Sequence, residues 1–496
     1  MFTSSNLFLI SILYAISGIA YFVIAIRGIV NRNELRIFDL VRLMYSFVYG
    51  LIPWLLYLQE SNGQRNLFFY DYSREGIGRI YLMWFLSVVA YCLMNIAYWS
   101  VKQKNVPVTE TLKLKEEDGR YYSNRLMTCG VIALVIGWTS LFLWTSAYGS
   151  LQNFIAQAAR IRSGRGRIYN PYAFVKHFVG ILQLSLYALL SAYLYERPKI
   201  LKKIVYGFLM ALSLVGNYFY FMASDSRITI IFIGLAVLLI GLRHRKKEKV
   251  AGYLIFAGIV CFALLEITML ADTFTYYMRY GEWRSQSGGL VGNLTKEFRF
   301  IISSDMRAIK AWVTGDLKLQ IGNDIISALT SWIPERFLPF KIPVTLWKYN
   351  TSLYATESTG TNPTSLVATS VYELGLIGTI VWPLLFGFFT AFVEKILRRN
   401  SSVAYADVYF GLFAGLFVQM VSHNQISTFA TKLFPAFLFF LITIAVDYLF
   451  RKSRRRITEE SVASVEEDEN TASVSEGKHS VLEDVTLKAD PKGGDT

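Results

Sequence analysis

MFTSSNLFLISILYAISGIAYFVIAI, residues 1–26, contains no charged side chain. A helix of about 20 such residues crosses the roughly 30 Å of hydrocarbon in a bilayer. Inside lipid a chain must satisfy its own backbone polar groups, which only helices and closed barrels do. The stretch lacks the alternation of polar and apolar residues that a barrel strand needs. It also lacks the basic start of a cleavable signal peptide and is long enough to span, so this first span is expected to stay in the mature protein. Comparable runs follow at 37–58, 78–100, 124–147, 172–195, 203–222, 227–242, 250–271, 366–397, 403–422 and 430–450. The ninth is expected to break in two near Gly375 and Gly378. In a chain of 496 residues that is 53% hydrophobic, 16% aromatic and 17% charged, this repetition predicts an all-α fold. The expected protein is a polytopic helical membrane protein with about 11 transmembrane helices (10–12) and one large extracytoplasmic loop.

The formal charge of +14 divides unevenly. Residues 457–496 hold 11 acids and 3 bases, a net of −8, so residues 1–456 carry +22. In a chain of this class the excess is explained by topology, and no nucleic acid is expected as a partner. Basic residues follow every odd span: Arg27, Arg32 and Arg36; Lys102, Lys104, Lys113 and Lys115; ERPKILKK; RHRKKEK; Arg398 and Arg399; and RKSRRR. The consistent orientation puts the N-terminus outside and the C-terminus in the cytoplasm. The expected organisation is helices 1–8 over 1–271, including an outward arginine segment at 149–171. A large outer loop over 272–365 follows, then helices 9–11 over 366–450 and a basic-then-acidic cytoplasmic tail over 451–496. The tail composition reads as disordered, either a docking segment or a solubilising end. Cys92, Cys129 and Cys261 are scattered in apolar runs, and the four histidines form no HExxH, so neither a metal site nor any other cofactor is expected.

Two outward features carry the chemistry. ARIRSGRGRIYNPY, residues 159–172, sets Arg160, Arg162, Arg165 and Arg167 among small residues on the side where the topological bias disfavours them. The segment begins as an amphipathic helix with Leu151, Phe154, Ile155 and Ala158 on one face, and SGRGR then breaks it. Planar, permanently charged guanidinium groups suit a phosphate or pyrophosphate, although the same residues would also serve anionic lipid headgroups. The short turn MASDSRITI places Asp225 and Arg227 at or below the membrane surface, either as a local ion pair or with Arg227 as a second anion contact. Glu266 lies within span eight and could pair with an arginine.

In the large loop, NLTKEFRFIISSDMRAIKAWV, residues 293–313, has a helical period. Its apolar Phe298, Ile301, Ile302, Ile309 and Trp312 predict an amphipathic helix lying on the membrane or capping a cavity. YYMRYGEWRSQSGG and TSWIPERFLPFKIP mix aromatics with Arg279, Arg284, Arg336 and Lys341, as a glycan site or an interfacial belt would. Glu373 sits in an otherwise apolar helix, where it is either a base with a raised pKa or a packing residue. His423, at the outer end of span ten, either orients a hydroxyl or is merely interfacial.

Taken together, the outward arginines, the DSR turn, the loop with TSWIPERFLPFK, and the NPT before VYELGLIGTIVWPLLFG resemble the Wzy-type oligosaccharide repeat-unit polymerases, relatives of O-antigen ligases. Tyr372, Glu373, Gly375 and Gly378 match in character the family's late Tyr-x-x-x-Gly-x-x-Gly-like helix, and the likeness covers most of residues 1–450. It departs from the family in that no outer-loop Arg is followed eleven positions later by Gly. The resemblance implies a metal-independent glycosyltransferase in the bacterial cytoplasmic membrane that joins undecaprenyl-pyrophosphate-linked repeat units into surface polysaccharide. The implied pyrophosphate and glycan contacts are Arg160, Arg162, Arg165, Arg167, Arg227, Arg279, Arg284 and Arg336. The implied base is Glu373, with Asp225 and His423 following. Implied partners are the lipid-linked glycan donor and acceptor, membrane lipid, a chain-length regulator and a flippase. An O-antigen-ligase-like transferase and a lipid-linked oligosaccharide flippase or transporter are the alternative readings.

Overall fold

The computed structural model describes residues 4–32, 35–61, 76–101, 119–163, 170–196, 198–224, 228–244, 289–330, 337–353, 362–400, 405–424 and 432–452, with isolated residues between these segments. The chain divides into two compact units, Met1–Phe440 and Leu441–Thr496. The described part of the second is helical, residues 441–452. Among the described residues, all regular secondary structure is helical.

Eight helical stretches are long and apolar enough to cross a bilayer. They are α1 (Ser4–Arg32); α2 (Ile37–Ser46) running through a π turn into α3 (Ile52–Ser61); α4 (Ile77–Ser100); α5 (Gly119–Ser146); a 3-10 turn at Ala173 continuing into α7 (Ile181–Glu196); α8 (Ile200–Ser224); a broken helix over Leu366–Arg399; and Lys432–Lys452. Between α5 and α7 lies α6 (Leu151–Ser163). Two shorter apolar helices, α9 (Ile228–Arg243) and α15 (Ala406–Ser422), stand where spans seven and ten are expected. The expected span at 250–271 lies outside the described residues.

Large apolar side chains on these helices face outward: Ile16, Ile19 and Val23 on α1, Ile200, Leu201 and Phe208 on α8, and Phe388 and Phe392 further on are each more than two-fifths exposed. Whole helix faces of this kind are unfavourable in water and suit lipid. The protein is an all-α polytopic membrane protein.

Small residues bring the helices together. Gly18 of α1 meets Gly50 in the π turn, where a Cβ on either would strike the other's backbone, and Ser46 Oγ donates to Gly18 O at 2.7 Å. Gly130 and Gly137 of α5 receive Leu189 and Leu182 of α7. The ninth span breaks at the glycines that predict it. α13 (Leu366–Leu374) ends at Gly375, which has φ of +65° and faces the Trp312 ring, and a 3-10 turn leads into α14 (Gly378–Arg399).

Polar contacts between helix termini define two ends of the bundle. Arg32 at the end of α1 pairs with Asp39 in α2, and Arg42 bonds Asn95 near the end of α4. Tyr98 of α4 donates to Glu394 near the end of α14. Ser123 at the start of α5 bonds Glu196 at the end of α7, which also takes Lys202 of α8. Arg243 and His244, closing α9, reach Asp407 at the start of α15. The ends preceding the basic loops therefore gather on one side, the basic end. Trp144, α6, the start of α13 and His423 lie at the opposite, distal end.

The large loop contributes α10 (Gly289–Val313), α11 (Asn323–Thr330) and α12 (Leu346–Ser352). α10 covers the expected amphipathic stretch, but its apolar face meets protein. Phe298, Ile301, Ile302 and Ile309 are buried with residues of α2, α3 and α4, and Phe298 meets Phe47 edge-on at 4.8 Å.

Candidate functional site at the distal end

The apolar face of α6 sets the position of the arginine segment. Phe154 is fully buried, with ring centroids 4.9 Å from Trp144 and 5.4 Å from Tyr148, and Ile155 packs in the same cluster with Leu134, Leu141, Val179 and Leu182. Gln152 and Asn153 are exposed on the other face. The helix continues through Arg160 and Arg162 to Ser163. The side chains of Leu151, Ala158, Arg160 and Arg162, and all of Arg165 and Arg167, lie outside the described residues. Where the described chain resumes, Asn170 Nδ2 donates to the Trp144 carbonyl at 2.9 Å, and the Lys176 ammonium lies 5.5 Å from the Trp144 ring centroid. Both flanks of the arginine segment are thus anchored on Trp144. Asp225, Arg227, Glu266, Arg279, Arg284 and Arg336 lie outside the described residues.

A second group gathers where α10 meets the start of α13. Asp305 is fully buried within the apolar stripe of α10, at helical spacing from Ile301, Ile302, Ala308 and Ile309. Its Oδ1 accepts from the Ser365 hydroxyl and from the Ala368 amide at 2.9 Å. Ser365 is the N-cap of α13, so Asp305 adds negative charge to a positive helix terminus, a favourable placement. Its Oδ2 is buried with no hydrogen-bond partner among the described residues. Burial pushes its carboxyl up to about 8, with the Ser365 and Ala368 bonds acting against that rise.

Glu373, one of the predicted site residues, lies further along α13. It is 2% exposed, and its Oε2 accepts from the Gly322 amide at 2.6 Å. Together with the Gln320 amide on the Tyr372 carbonyl at 2.9 Å, this bond fastens the loop to the helix. Oε1 has no partner among the described residues. The neighbouring Tyr372 hydroxyl donates to Asn350 Oδ1 at 2.8 Å.

His423, also predicted, is buried at the end of α15, 4.9 Å from the Phe300 ring of α10, with Ser422 Oγ 2.9 Å from its Nδ1. The next residue, Asn424, joins α15 to α13. Its amide donates to Thr364 O at 2.7 Å, and its carbonyl accepts from Thr364 and Thr369 hydroxyls at 3.1 and 3.0 Å. Its side-chain amide is buried with no partner among the described residues, as is Ser304 Oγ.

His423, Asp305 and Glu373 therefore sit on three helices, α15, α10 and α13, that meet at the distal end. Ser365, which holds Asp305, precedes Glu373 by eight residues, an axial separation of about 12 Å at 1.5 Å per residue. The two carboxylates mark two positions at the distal end and do not form a dyad. No protein-family model, curated protein or solved structure matches this chain.

Asp305, Asn424 and Lys176 escaped the sequence reading. Asp305 had a readable signal, an acid at the i+3 and i+4 positions of an apolar stripe. Asn424 had none, because its role depends on the contact between α13 and α15. Chemically, the described part of the distal end offers the two flanks that lead into the arginine segment, two buried carboxylates each with an oxygen unpartnered among the described residues, and neutral amide and hydroxyl groups of the kind that bond sugar hydroxyls.

Proposed function

We propose that the protein is a membrane glycosyltransferase that polymerises undecaprenyl-pyrophosphate-linked oligosaccharide repeat units on the outer side of a bacterial cytoplasmic membrane. The reading places the N-terminus outside and the C-terminus in the cytoplasm. The observation that supports it most is that both described flanks of the arginine segment and the buried carboxylates Asp305 and Glu373 share the end opposite the basic helix ends.

In this mechanism an acceptor hydroxyl attacks the anomeric carbon of the donor glycan. The bond from that carbon to the pyrophosphate oxygen breaks, the new glycosidic bond forms, and the hydroxyl proton passes to a carboxylate. Glu373 leads for that role through its Oε1, with Asp305 as a second candidate, Asp225 as a further one, and His423 positioning the acceptor. Arg160, Arg162, Arg165 and Arg167 stabilise the charge that develops on the departing pyrophosphate, joined by Arg227. Arg279, Arg284 and Arg336 serve the glycan. Holding two lipid-anchored substrates side by side removes much of the entropic barrier. A flippase, a chain-length regulator and membrane lipid complete the set of partners.

Deletion followed by surface-glycan electrophoresis tests this reading. The expected result is loss of the long ladder with single repeats retained at the surface. Loss of single repeats as well would point to a flippase or a ligase-like transferase, and an unchanged ladder would remove the polymerase.

A further inference from the structure

At the basic end, three membrane helices, α1, α2 and α4, meet at one indole. The guanidinium carbons of Arg32, Arg36 and Arg42 lie 5.4, 5.6 and 5.4 Å from the Trp99 ring centroid. Asp39 is buried among them. Both its oxygens accept from Arg32 Nη2, at 2.6 and 2.7 Å, its Oδ1 lies 3.6 Å from Arg42 Nη1, and its Oδ2 accepts from the Arg36 backbone amide at 3.1 Å. Asn95 Oδ1 takes Arg42 Nε at 2.7 Å. Glu394 accepts from Tyr98 at 3.0 Å and feels the charge of Arg36. One helical turn later, Arg398 brings a further guanidinium close enough to act on Arg32.

Among the described residues, Asp39 is shared between two guanidinium groups, those of Arg32 and Arg42. Like charges at such spacing repel strongly where the dielectric is low. Arg32 Nε is buried with no acceptor among the described residues. Yet the cluster is not sealed, because Arg32 is 21% exposed and Trp99 is 47% exposed. The residues that face outward are thus a planar cation and the aromatic ring against which it stacks. An anion with several oxygens on one centre suits them, since it takes charge-assisted bonds from the Arg32 fork while the buried guanidinium groups behind it add attraction. The cluster sits where the membrane helices α1, α2, α4 and α14 start or end.

We propose that Arg32 and Trp99, with the positive potential of the buried Arg36 and Arg42 behind them, form a binding site for a phosphoryl anion at the basic membrane surface, supplied by an anionic lipid headgroup or by free phosphate. The site stands apart from the distal end and does not depend on the transfer reading.

The test uses the full chain purified in an uncharged detergent and follows thermal unfolding. Phosphatidylglycerol is titrated against phosphatidylcholine, and inorganic phosphate against chloride at equal ionic strength. The site predicts a rise in the unfolding midpoint with phosphatidylglycerol or with phosphate. Response to the lipid alone assigns the headgroup, and response to phosphate assigns the free ion. Arg32→Gln should raise the half-saturating concentration about tenfold. Arg32→Lys, which keeps the counter-charge to Asp39 and so protects folding, should raise it about threefold by losing the planar fork. Lys199→Gln with Lys203→Gln, exposed bases at the same end, should leave it unchanged. The proposal is overturned if neither anion exceeds its control, if both Arg32 variants respond like wild type, or if the lysine pair loses the response equally.

Discussion

Glu373→Gln is expected to abolish long-chain polymer while the protein reaches normal levels in the membrane. Glutamine keeps the volume and presents an acceptor oxygen to the Gly322 amide, the 2.6 Å bond that fastens the loop to α13. It cannot take a proton, and loss of a positioned base typically costs 10²–10⁴-fold in rate. Electrophoresis of the surface glycan, read beside an immunoblot of the membrane fraction, separates the two roles of this residue. Loss of the ladder at full protein level assigns it the proton-transfer role. A normal ladder would leave Glu373 as the fastener of the loop and remove it from the chemistry.

Asp305→Asn should change how stability depends on pH. The buried carboxyl has its folded pKa pushed up to about 8, above that of an unfolded aspartate. Between those two values the folded state binds the extra proton. Stability from this group is therefore fully present below the unfolded pKa and is lost as pH rises through about 8. Across that window the slope approaches about 1.4 kcal/mol per pH unit. Asparagine does not titrate and retains a carbonyl oxygen for the Ser365 hydroxyl and the Ala368 amide. In thermal unfolding of purified protein, the wild-type midpoint should fall more steeply from pH 6 to pH 8 than that of the variant. Equal slopes in both would mean that Asp305 is ionised throughout and held by charge lying beyond its hydrogen-bond partners.

The membrane class was legible because a charge-free run such as residues 1–26 has few other stable fates. The break in span nine was legible too. Gly375 adopts a positive φ, which favours glycine, and its missing side chain admits the Trp312 ring. Periodicity marked α10 as amphipathic but could not say what covers its apolar face. That face meets the membrane helices themselves, which fixes the distal site. Selecting only apolar residues from the stripe also passed over Asp305, although its place between Ile301 and Ile309 is where an acid is most costly and therefore most informative. The π turn at Phe47–Leu51 had no signal beyond Gly50, because it answers to the approach of Gly18. At the basic end, Arg32 and Arg36 served only as counted charges in the topology. Their meeting with Arg42 around Trp99 depends on how three helices pack.

Everything proposed for the distal end requires that α6 face away from the cytoplasm. In a chain without its native cysteines, Gln152→Cys on the exposed face of α6 and Lys199→Cys at the basic end provide the test. A membrane-impermeant maleimide applied to intact spheroplasts should label Gln152→Cys and should reach Lys199→Cys only after the membrane is opened. Labelling of Lys199→Cys in intact spheroplasts, with Gln152→Cys protected until lysis, would put the arginine segment in the cytoplasm and contradict the account.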